Sequence, residues 1–181
     1  MRLIILGGPG SGKGTQADKL GQQFSVPAIS TGAILRAEVA AGTALGQQVA
    51  VTLEKGELVS DRMMIDLIEK RLGQPDAAQG WILDGYPRTA FQAEELDFLL
   101  DKVGQQVTQA IWLEVPAAVL MVRSQNRGAI DDSPEALKRR IENLLEITVP
   151  MLDYYGHRQR LIKVDGNQEP DEVKRSILTA L

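Results

Sequence analysis

Residues 2–15 read RLIILGGPGSGKGT, and they indicate the architecture of the whole chain. The apolar run Arg2–Leu6 has the length and composition of a buried strand, and the glycines after it lead directly into a helical pattern. Glycines at such a junction let backbone N–H groups converge on phosphate oxygens, because no side chains block the approach. The N-terminus of the helix adds a partial positive charge. A strand, a glycine-rich loop, a lysine and a helix in this order are typical of a phosphate-binding loop, or P-loop.

The loop residues are therefore candidates for binding a nucleoside triphosphate, and Lys13 is placed to reach its β- and γ-phosphates. The candidates are Gly10, Ser11, Gly12, Lys13, Gly14 and Thr15. The general pattern has a hydroxyl residue directly after the lysine, whereas here Gly14 intervenes and the hydroxyl follows at Thr15. A glycine-rich turn without a ligand is the alternative, and it is disfavoured because strand, loop, lysine, hydroxyl and helix all occur in register.

The rest of the chain alternates short apolar runs with longer amphipathic ones. Strands are predicted at residues 2–6, 28–29, 81–83, 110–115 and 161–164. Helices are predicted at residues 14–24, 32–41, 45–55, 61–72, 91–102, 116–125, 135–155 and 171–181. Ser133 and Pro134 have the residue types of a helix cap and first turn. This alternation predicts an α/β fold, a P-loop NTPase-like parallel five-stranded sheet with helices on both faces. No repeat or linker divides the chain, so we expect a single domain over residues 1–181.

Composition excludes several classes of site. The 181 residues contain no cysteine and one histidine, His157, so thiolate and histidine-rich metal sites are excluded and no zinc is expected. The net charge of −4 gives no indication of a nucleic-acid binder, and a polyphosphate must be met by local positive charge. No stretch approaches the roughly 20 apolar residues of a membrane span. We expect a cytoplasmic protein that has neither nucleic acid nor a membrane as a partner.

A second candidate site lies in residues 81–92, WILDGYPRTAFQ. The predicted strand ends at Asp84, and ligands of α/β proteins bind at the carboxyl ends of the strands. Asp84 could orient water around a magnesium ion, which keeps several of its own waters. Arg88 offers a planar fork for phosphate oxygens, and Gln92 offers an amide that can pair with a base edge. The alternative for this stretch is a strand and a turn with Arg88 merely solvated.

The two stretches together resemble the adenylate kinases, in the nucleoside monophosphate kinase family. The Gly-Lys-Gly-Thr form of the loop is usual in that family. The segment Ser30-Thr31-Gly32, followed by Leu35-Arg36, is similar to its monophosphate-binding helix. The resemblance covers residues 1 to about 166 and implies an enzyme that transfers a phosphoryl group from MgATP to AMP, giving two ADP. Thr31 and Gln92 resemble the adenylate branch more than the UMP/CMP branch.

The resemblance also implies roles for individual residues. The implied catalytic residues are Lys13, Arg88, Arg123 and Arg140. ATP is expected to contact the loop residues 10–15, Arg127 and Gly166. AMP is expected to contact Thr31, Arg36, Glu57, Leu58, Val59, Gly85, Tyr86, Pro87, Arg88, Gln92 and Arg140. Asp131 and Asp132 are expected to support the arginines of the lid, and Mg²⁺ is expected near Thr15 and, through water, Asp84. Lys138 and Arg139 are expected on an exposed helix face.

The family resemblance predicts motion as well. Residues 30–59 correspond to a mobile AMP-binding helical segment, residues 126–132 to a short lid, and the remainder to a core, in a monomer. Closure of the two segments is expected to exclude water, so that ATP is not hydrolysed without transfer.

Two residues depart from the family pattern. Ala33 stands where the pattern has an aspartate that helps to hold magnesium-bound water, and Ala129 stands where short-lid members have an arginine. Two explanations of these alanines are open: natural drift with compensation nearby, and deliberate substitution. Both positions are charged in the family pattern and both carry alanine here, and this coincidence favours deliberate substitution. Either way, the sequence predicts weakened transfer. A nucleotide-binding protein with lost catalysis and a kinase for another monophosphate remain alternatives.

Overall fold

The computed structural model describes residues 1–125 and 131–181. Its five strands are β1 (Arg2–Leu6), β2 (Ala28–Ser30), β3 (Trp81–Asp84), β4 (Gln109–Glu114) and β5 (Leu161–Asp165). They form one parallel sheet in the order β2-β3-β1-β4-β5. All five predicted strands are present, with ends that differ by at most one residue from the prediction. The predicted α/β architecture is confirmed.

The helices follow the predicted amphipathic segments. They are α1 (Lys13–Phe24), α2 (Thr31–Ala40), α3 (Ala44–Glu54), α4 (Asp61–Leu72), α5 (Ala90–Asp101), α6 (Ala117–Gln125), α7 (Pro134–Asn143), α8 (Val149–His157) and α9 (Pro170–Ala180). A short 3₁₀ turn, Pro75–Ala77, precedes β3. In the described part of the chain, every helix is too short or too polar to span a membrane.

The single helix predicted over residues 135–155 is interrupted. A π-helical stretch, Leu144–Thr148, separates α7 from α8. Pro150 lies in the first turn of α8, where it has no N–H to donate and its ring would clash with the carbonyl four residues earlier in a regular helix. The wider π turn accommodates this proline while the chain continues in a helical direction. At the start of α7, the predicted cap is present, because the Ser133 hydroxyl accepts a hydrogen bond from the N–H of Ala136 at 3.2 Å.

Side chains of β1 alternate between the two faces of the sheet, and each face carries its own apolar core. Ile4 and Leu6 belong to the larger cluster, which includes apolar residues of α2, α3, α4, α5 and α8. Leu3 and Ile5 belong to the smaller cluster, formed with α1 and α9. Successive strand residues point to opposite faces, so a continuous apolar run supplies both cores. Helices therefore cover both faces, as the apolar run predicts.

The parallel register places the candidate site residues at one edge. Ile5 lies opposite Asp84 across the β1–β3 pair, and Ser30 lies opposite Asp84 across the β2–β3 pair. The three strands consequently end side by side, and the chain that follows each of them emerges at the same carboxyl edge. The phosphate loop, the start of α2 and the turn after β3 are thereby brought together, as α/β folds position ligand sites.

The α2–α3 segment also contacts α7 directly. Gly56 follows the end of α3 with φ +69°, and a side chain at this residue would collide with the backbone carbonyl of Ala136 in α7. The side-chain amide of Asn143 donates a hydrogen bond to the Gly56 carbonyl at 3.3 Å. Gly56 is thus required for its left-handed backbone and for the close approach of the two helices.

We expect Gly56→Ala to lower the free energy of unfolding more than Gly42→Ala does. Both glycines follow a helix with similar backbone geometry, φ +69° and φ +63°, and both close it with the same pair of backbone bonds. A side chain at Gly42 would meet no atom within 4 Å, so this control carries only the left-handed backbone cost of about 1–2 kcal/mol. The collision with Ala136 should add about 1–3 kcal/mol in Gly56→Ala. Equal losses in urea unfolding would contradict the tight contact.

Candidate active site

A cleft of about 710 Å³ opens at the carboxyl edge of the sheet. The predicted site residues that line it are Gly10, Gly12, Lys13, Gly14, Thr15, Thr31, Ala33, Arg36, Glu57, Leu58, Val59, Asp84, Gly85, Arg88, Gln92, Arg123, Asp131 and Arg140. Residues predicted for a triphosphate and residues predicted for a monophosphate therefore share one cavity.

Other predicted residues are placed differently. The structure does not place Ser11, Tyr86, Pro87, Asp132 or Gly166 in the lining of the cleft. Tyr86 is 1% exposed, and its hydroxyl donates to the backbone carbonyl of Gln92 at 3.2 Å, so its side chain packs in the core instead of facing a ligand. Burial also raises the pKa of the Tyr86 phenol far above its usual value. The predicted lid residues Arg127 and Ala129 lie outside the described residues.

The phosphate loop ends in a helix start that lacks a side-chain cap. Gly12 precedes α1 with φ +91°, a conformation that favours glycine, and it offers no side chain to the first-turn N–H groups. The first turn of α1 contains no acidic residue. These N–H groups and the helix dipole are therefore available to an anion. Lys13 adds a positive charge beside them, and its ammonium group donates to the Gly8 carbonyl at 2.7 Å.

Asp84 faces this loop from the end of β3. It is 8% exposed, and a side chain built at Gly14 would lie 3.7 Å from its Oδ2 atom. Thr31 fixes the strand end, because its hydroxyl donates to the Asp84 carbonyl at 3.2 Å. Thr15 lies one residue beyond Gly14 and lines the same cleft. A carboxylate and a hydroxyl next to a phosphate site are hard oxygen ligands of the kind that Mg²⁺ takes together with nucleotide phosphates.

Two arginines that line the cleft, Arg36 and Arg140, are held by neighbouring carboxylates. Asp131 is 5% exposed, and its Oδ2 atom lies 2.9 Å from Arg140 and 3.6 Å from Arg36. Asp132 also accepts from Arg140, at 3.3 Å. These ion pairs hold Arg140, and Asp131 also reaches Arg36 of α2. The support of the lid arginines by Asp131 and Asp132 stays a prediction, because Arg127 lies outside the described residues. A guanidinium group carries N–H donors in a planar fork, which can bond to two oxygens of one phosphate.

Two further arginines have backbone partners. Arg88 donates through Nε to the Gly85 carbonyl at 2.9 Å. Arg123, on α6, donates to the carbonyl of Gly166 at 3.1 Å and to the side chain of Asn167 at 3.0 Å. Arg123 and Gly166, both predicted to contact ATP, are therefore neighbours. Outside the cleft, Lys138 and Arg139 are exposed on α7, as predicted.

The structure adds residues that sequence reasoning missed. Asp18 lines the cleft one turn after Thr15 on α1, and this spacing was the signal that could have identified it. Arg71 also lines it and pairs with both carboxylate oxygens of Asp76, at 2.9 and 2.7 Å. The hydrogen bond from Arg71 lowers the pKa of Asp76 below its usual value. Asp61, on α4, accepts a hydrogen bond from Gln92 at 2.8 Å, a contact that no local pattern indicates.

Ala33 is the third residue of α2 and is exposed in the cleft. Its N–H donates to the hydroxyl of the capping residue Ser30 at 3.4 Å. An acidic side chain at this position would complement the helix dipole and would face the cleft. The methyl group present can neither bind water nor carry charge.

A family model described as adenylate kinase matches residues 5–160. The chain is 51% identical to "Adenylate kinase 2" of Nostoc sp., over all of this chain and 98% of that protein. It is 50% identical to "Adenylate kinase 2" of Synechocystis sp. over the full length of both. It is 45% identical to "Adenylate kinase" of Stenotrophomonas maltophilia, over all of this chain and 99% of that protein.

We expect Asp131→Asn to destabilise the nucleotide-free protein by about 1–3 kcal/mol. The substitution keeps the shape of the side chain but removes the buried negative charge beside Arg140 and Arg36. Asp66→Asn, at an exposed aspartate on α4, is the control and should change the free energy of unfolding by less than about 0.5 kcal/mol. Urea unfolding of the two variants measures the difference. Equal stability of the two variants would show that the Asp131 ion pairs contribute nothing net.

Proposed function

The chain belongs to the adenylate kinase family and is an enzyme that transfers phosphoryl groups between adenine nucleotides, and we propose specifically that it catalyses ATP + AMP ⇌ 2 ADP. The observation that carries the proposal is the shared cleft, which contains an uncapped helix start at one part and paired arginines at another. In-line transfer needs the donor phosphate and the acceptor phosphate in one cavity, with positive charge between them.

The donor side of the proposal rests on the phosphate loop. The first-turn N–H groups of α1 would bind the β- and γ-phosphates of ATP. Lys13 would exchange its hydrogen bond with the Gly8 carbonyl for a phosphate oxygen, which is a stronger, charge-assisted interaction. Arg123 and Gly166, at the far side of the loop, would contact the remainder of ATP.

The acceptor side rests on residues of α2, the turn after α3 and the turn after β3. Arg36 and Arg88 would bind the phosphate of AMP, and Arg140 would lie between the two phosphates. The adenine would be bound by the backbone of residues 57–59 together with Thr31 and Gln92. No side chain needs to act as a nucleophile, because positioning and neutralisation of charge supply the catalysis.

The proposal includes a magnesium ion, because the hydroxyl of Thr15 and the carboxylate of Asp84 are oxygen groups of the kind that bind Mg²⁺. The Thr15 hydroxyl would contact the ion, and the Asp84 carboxylate would orient its water molecules. When bound, Mg²⁺ neutralises charge on the phosphate oxygens of ATP. The position of Asp84, 8% exposed at the end of β3 and beside β1, supports this assignment.

Closure of the cleft is also part of the proposal, with residues 30–59 as the moving segment, whereas residues 126–130 of the predicted lid lie outside the described residues. Contacts between this segment and the residues from Asp131 to the end of α7 include the hydrogen bond from Asn143 to the Gly56 carbonyl and the ion pair of Asp131 with Arg36. The phosphate of AMP would compete with Asp131 for Arg36 and Arg140. Substrate binding would therefore change the contacts that connect residues 30–59 to Asp131, which supports a motion coupled to binding.

Transfer is further proposed to be weakened by Ala33 and Ala129. A missing carboxylate near magnesium-bound water costs about 10–100-fold by analogy with outer ligands of other metal sites. A missing arginine at a phosphoryl-transfer centre costs on the order of 10³–10⁵ in rate. The exposed methyl group of Ala33 in the cleft supports the first of these statements.

The proposed reaction is tested by measuring ADP formation from ATP with AMP, UMP, CMP or GMP as acceptor. We expect turnover with AMP to exceed that with each of the other three. Lys13→Met should reduce kcat by about 10²–10³-fold, because a charge next to the transferring group is lost. Lys19→Met, on the same helix but paired with the exposed Asp171, is the control and should keep kcat within about twofold. Faster turnover with UMP or CMP would contradict AMP as the acceptor, and calorimetric ATP binding without turnover would contradict catalysis.

The weakening is tested by restoring the family residues. Ala33→Asp should raise kcat by about 10–100-fold, and Ala129→Arg should raise it further. Ala37→Asp, one turn further along α2 and also exposed, adds the same charge outside the cleft lining and should leave kcat unchanged. If Ala33→Asp has no larger effect than Ala37→Asp, the departure at residue 33 does not limit the rate.

A further inference from the structure

The side-chain amide of Gln92 has protein partners at both of its ends. Its Oε1 atom accepts a hydrogen bond from the backbone N–H of Arg88 at 2.8 Å, and its Nε2 atom donates to Oδ1 of Asp61 at 2.8 Å. The residue is 2% exposed, and it lines the cleft. These two bonds require opposite ends of the amide, so together they assign one orientation to it.

The same orientation is supported by the hydroxyl of Thr89. This oxygen accepts from the backbone N–H of Gln92 at 3.1 Å, and the hydroxyl donates to Oδ1 of Asp61 at 3.4 Å. Asp61 is therefore the common acceptor of two donors, and a carboxylate only accepts hydrogen bonds. Rotation of the Gln92 amide by half a turn would place its oxygen against Asp61 and its NH₂ group against the Arg88 N–H. Both contacts would then be repulsive.

A purely structural role accounts for part of this arrangement. Thr89 caps α5 and Gln92 is its third residue, which is the spacing of a capping box. In that motif, however, the glutamine bonds to the N–H of the capping residue, whereas here it bonds to the N–H of Arg88, one residue earlier. The cap also does not require an acceptor for Nε2, and this acceptor comes from a different helix.

The amide retains unused hydrogen-bonding capacity toward a ligand. A glutamine amide has two N–H donors and two acceptor lone pairs, and the protein bonds described here use one of each. One donor and one acceptor remain, in an order that the protein fixes. Adenine presents an amino group at position 6 and an acceptor at N1, whereas hypoxanthine presents a carbonyl oxygen and an N–H at the same places. An amide that cannot rotate can match only one of the two bases.

We infer that Asp61 is a positioning residue that makes the monophosphate site selective for 6-amino purines over 6-oxo purines, by fixing the orientation of the Gln92 amide. The inference rests on the proposed function, in which Gln92 contacts the base of the acceptor nucleotide. Asp61 itself contacts Gln92 and Thr89 and need not touch the nucleotide. A site that bonds to a specific donor or acceptor discriminates strongly against an analogue that reverses it, because buried polar groups are left unpaired.

The test compares kcat/KM for AMP and for inosine monophosphate, with ATP as donor, in the wild type, Asp61→Asn and Asp61→Ala. Asparagine keeps the shape of the aspartate but can serve either orientation of Gln92, and alanine removes the acceptor. We expect the ratio of kcat/KM for AMP to that for inosine monophosphate to fall on the order of 10-fold in both variants. The KM for ATP should stay unchanged, because the donor side is untouched. Asp66→Asn, an exposed aspartate on the same helix, should keep the wild-type ratio.

The outcomes separate the inference from the function on which it rests. A wild-type enzyme that uses both monophosphates equally would overturn the role of Gln92 at the base, and with it the proposal for Asp61. A selective wild type together with folded variants that keep its ratio would overturn the role of Asp61 alone. A merely structural role would lower the melting temperature or kcat for both monophosphates together and leave the ratio unchanged. If Asp61→Ala does not fold, Asp61→Asn decides the matter.

Discussion

The parallel pairing of β1 with β3 is the constraint on which the site depends. It places Ile5 opposite Asp84, so the loop that follows β1 begins beside the carboxylate that ends β3. Neither part is sufficient for the chemistry: the loop supplies N–H groups and Lys13, whereas β3 supplies Asp84 and the turn with Arg88. A shift of one residue in this register would turn Asp84 to the opposite face of the sheet and separate the two halves. The apolar residues of β1, buried on both faces, hold the register in place.

The sequence was sufficient for the architecture because each strand is a short apolar run and each helix a longer amphipathic one. The sequence also predicted most of the residues that line the cleft, because the motifs follow strand ends that a parallel sheet brings together. The interruption at Leu144–Thr148 was not predictable from periodicity, because the buried residues Ile141, Leu144, Thr148 and Leu152 keep a helical spacing through it. The partners of Gln92 and Arg36 were not predictable either. Asp61 lies 31 residues from Gln92, and tertiary packing alone decides that they meet.

Carboxylates of the chain itself neutralise part of the positive charge in the cleft. The chain carries a net charge of −4, yet Arg36, Arg88 and Arg140 line the cleft. Asp131 and Asp132 neutralise part of this positive charge through ion pairs with Arg36 and Arg140. Close guanidinium groups would otherwise repel one another and lower stability. The carboxylates thus keep Arg36 and Arg140 in place in the nucleotide-free protein.

The central position of β1 has a consequence for the growing polypeptide. β1 is the first strand to be synthesised, yet its neighbours in the sheet are β3 and β4, which begin at Trp81 and Gln109. Its apolar residues have no strand partner until those segments leave the ribosome, and such long-range pairings form slowly. The phosphate loop is therefore made well before the two strands that fix its position, and it can be assembled only after both of them have been synthesised.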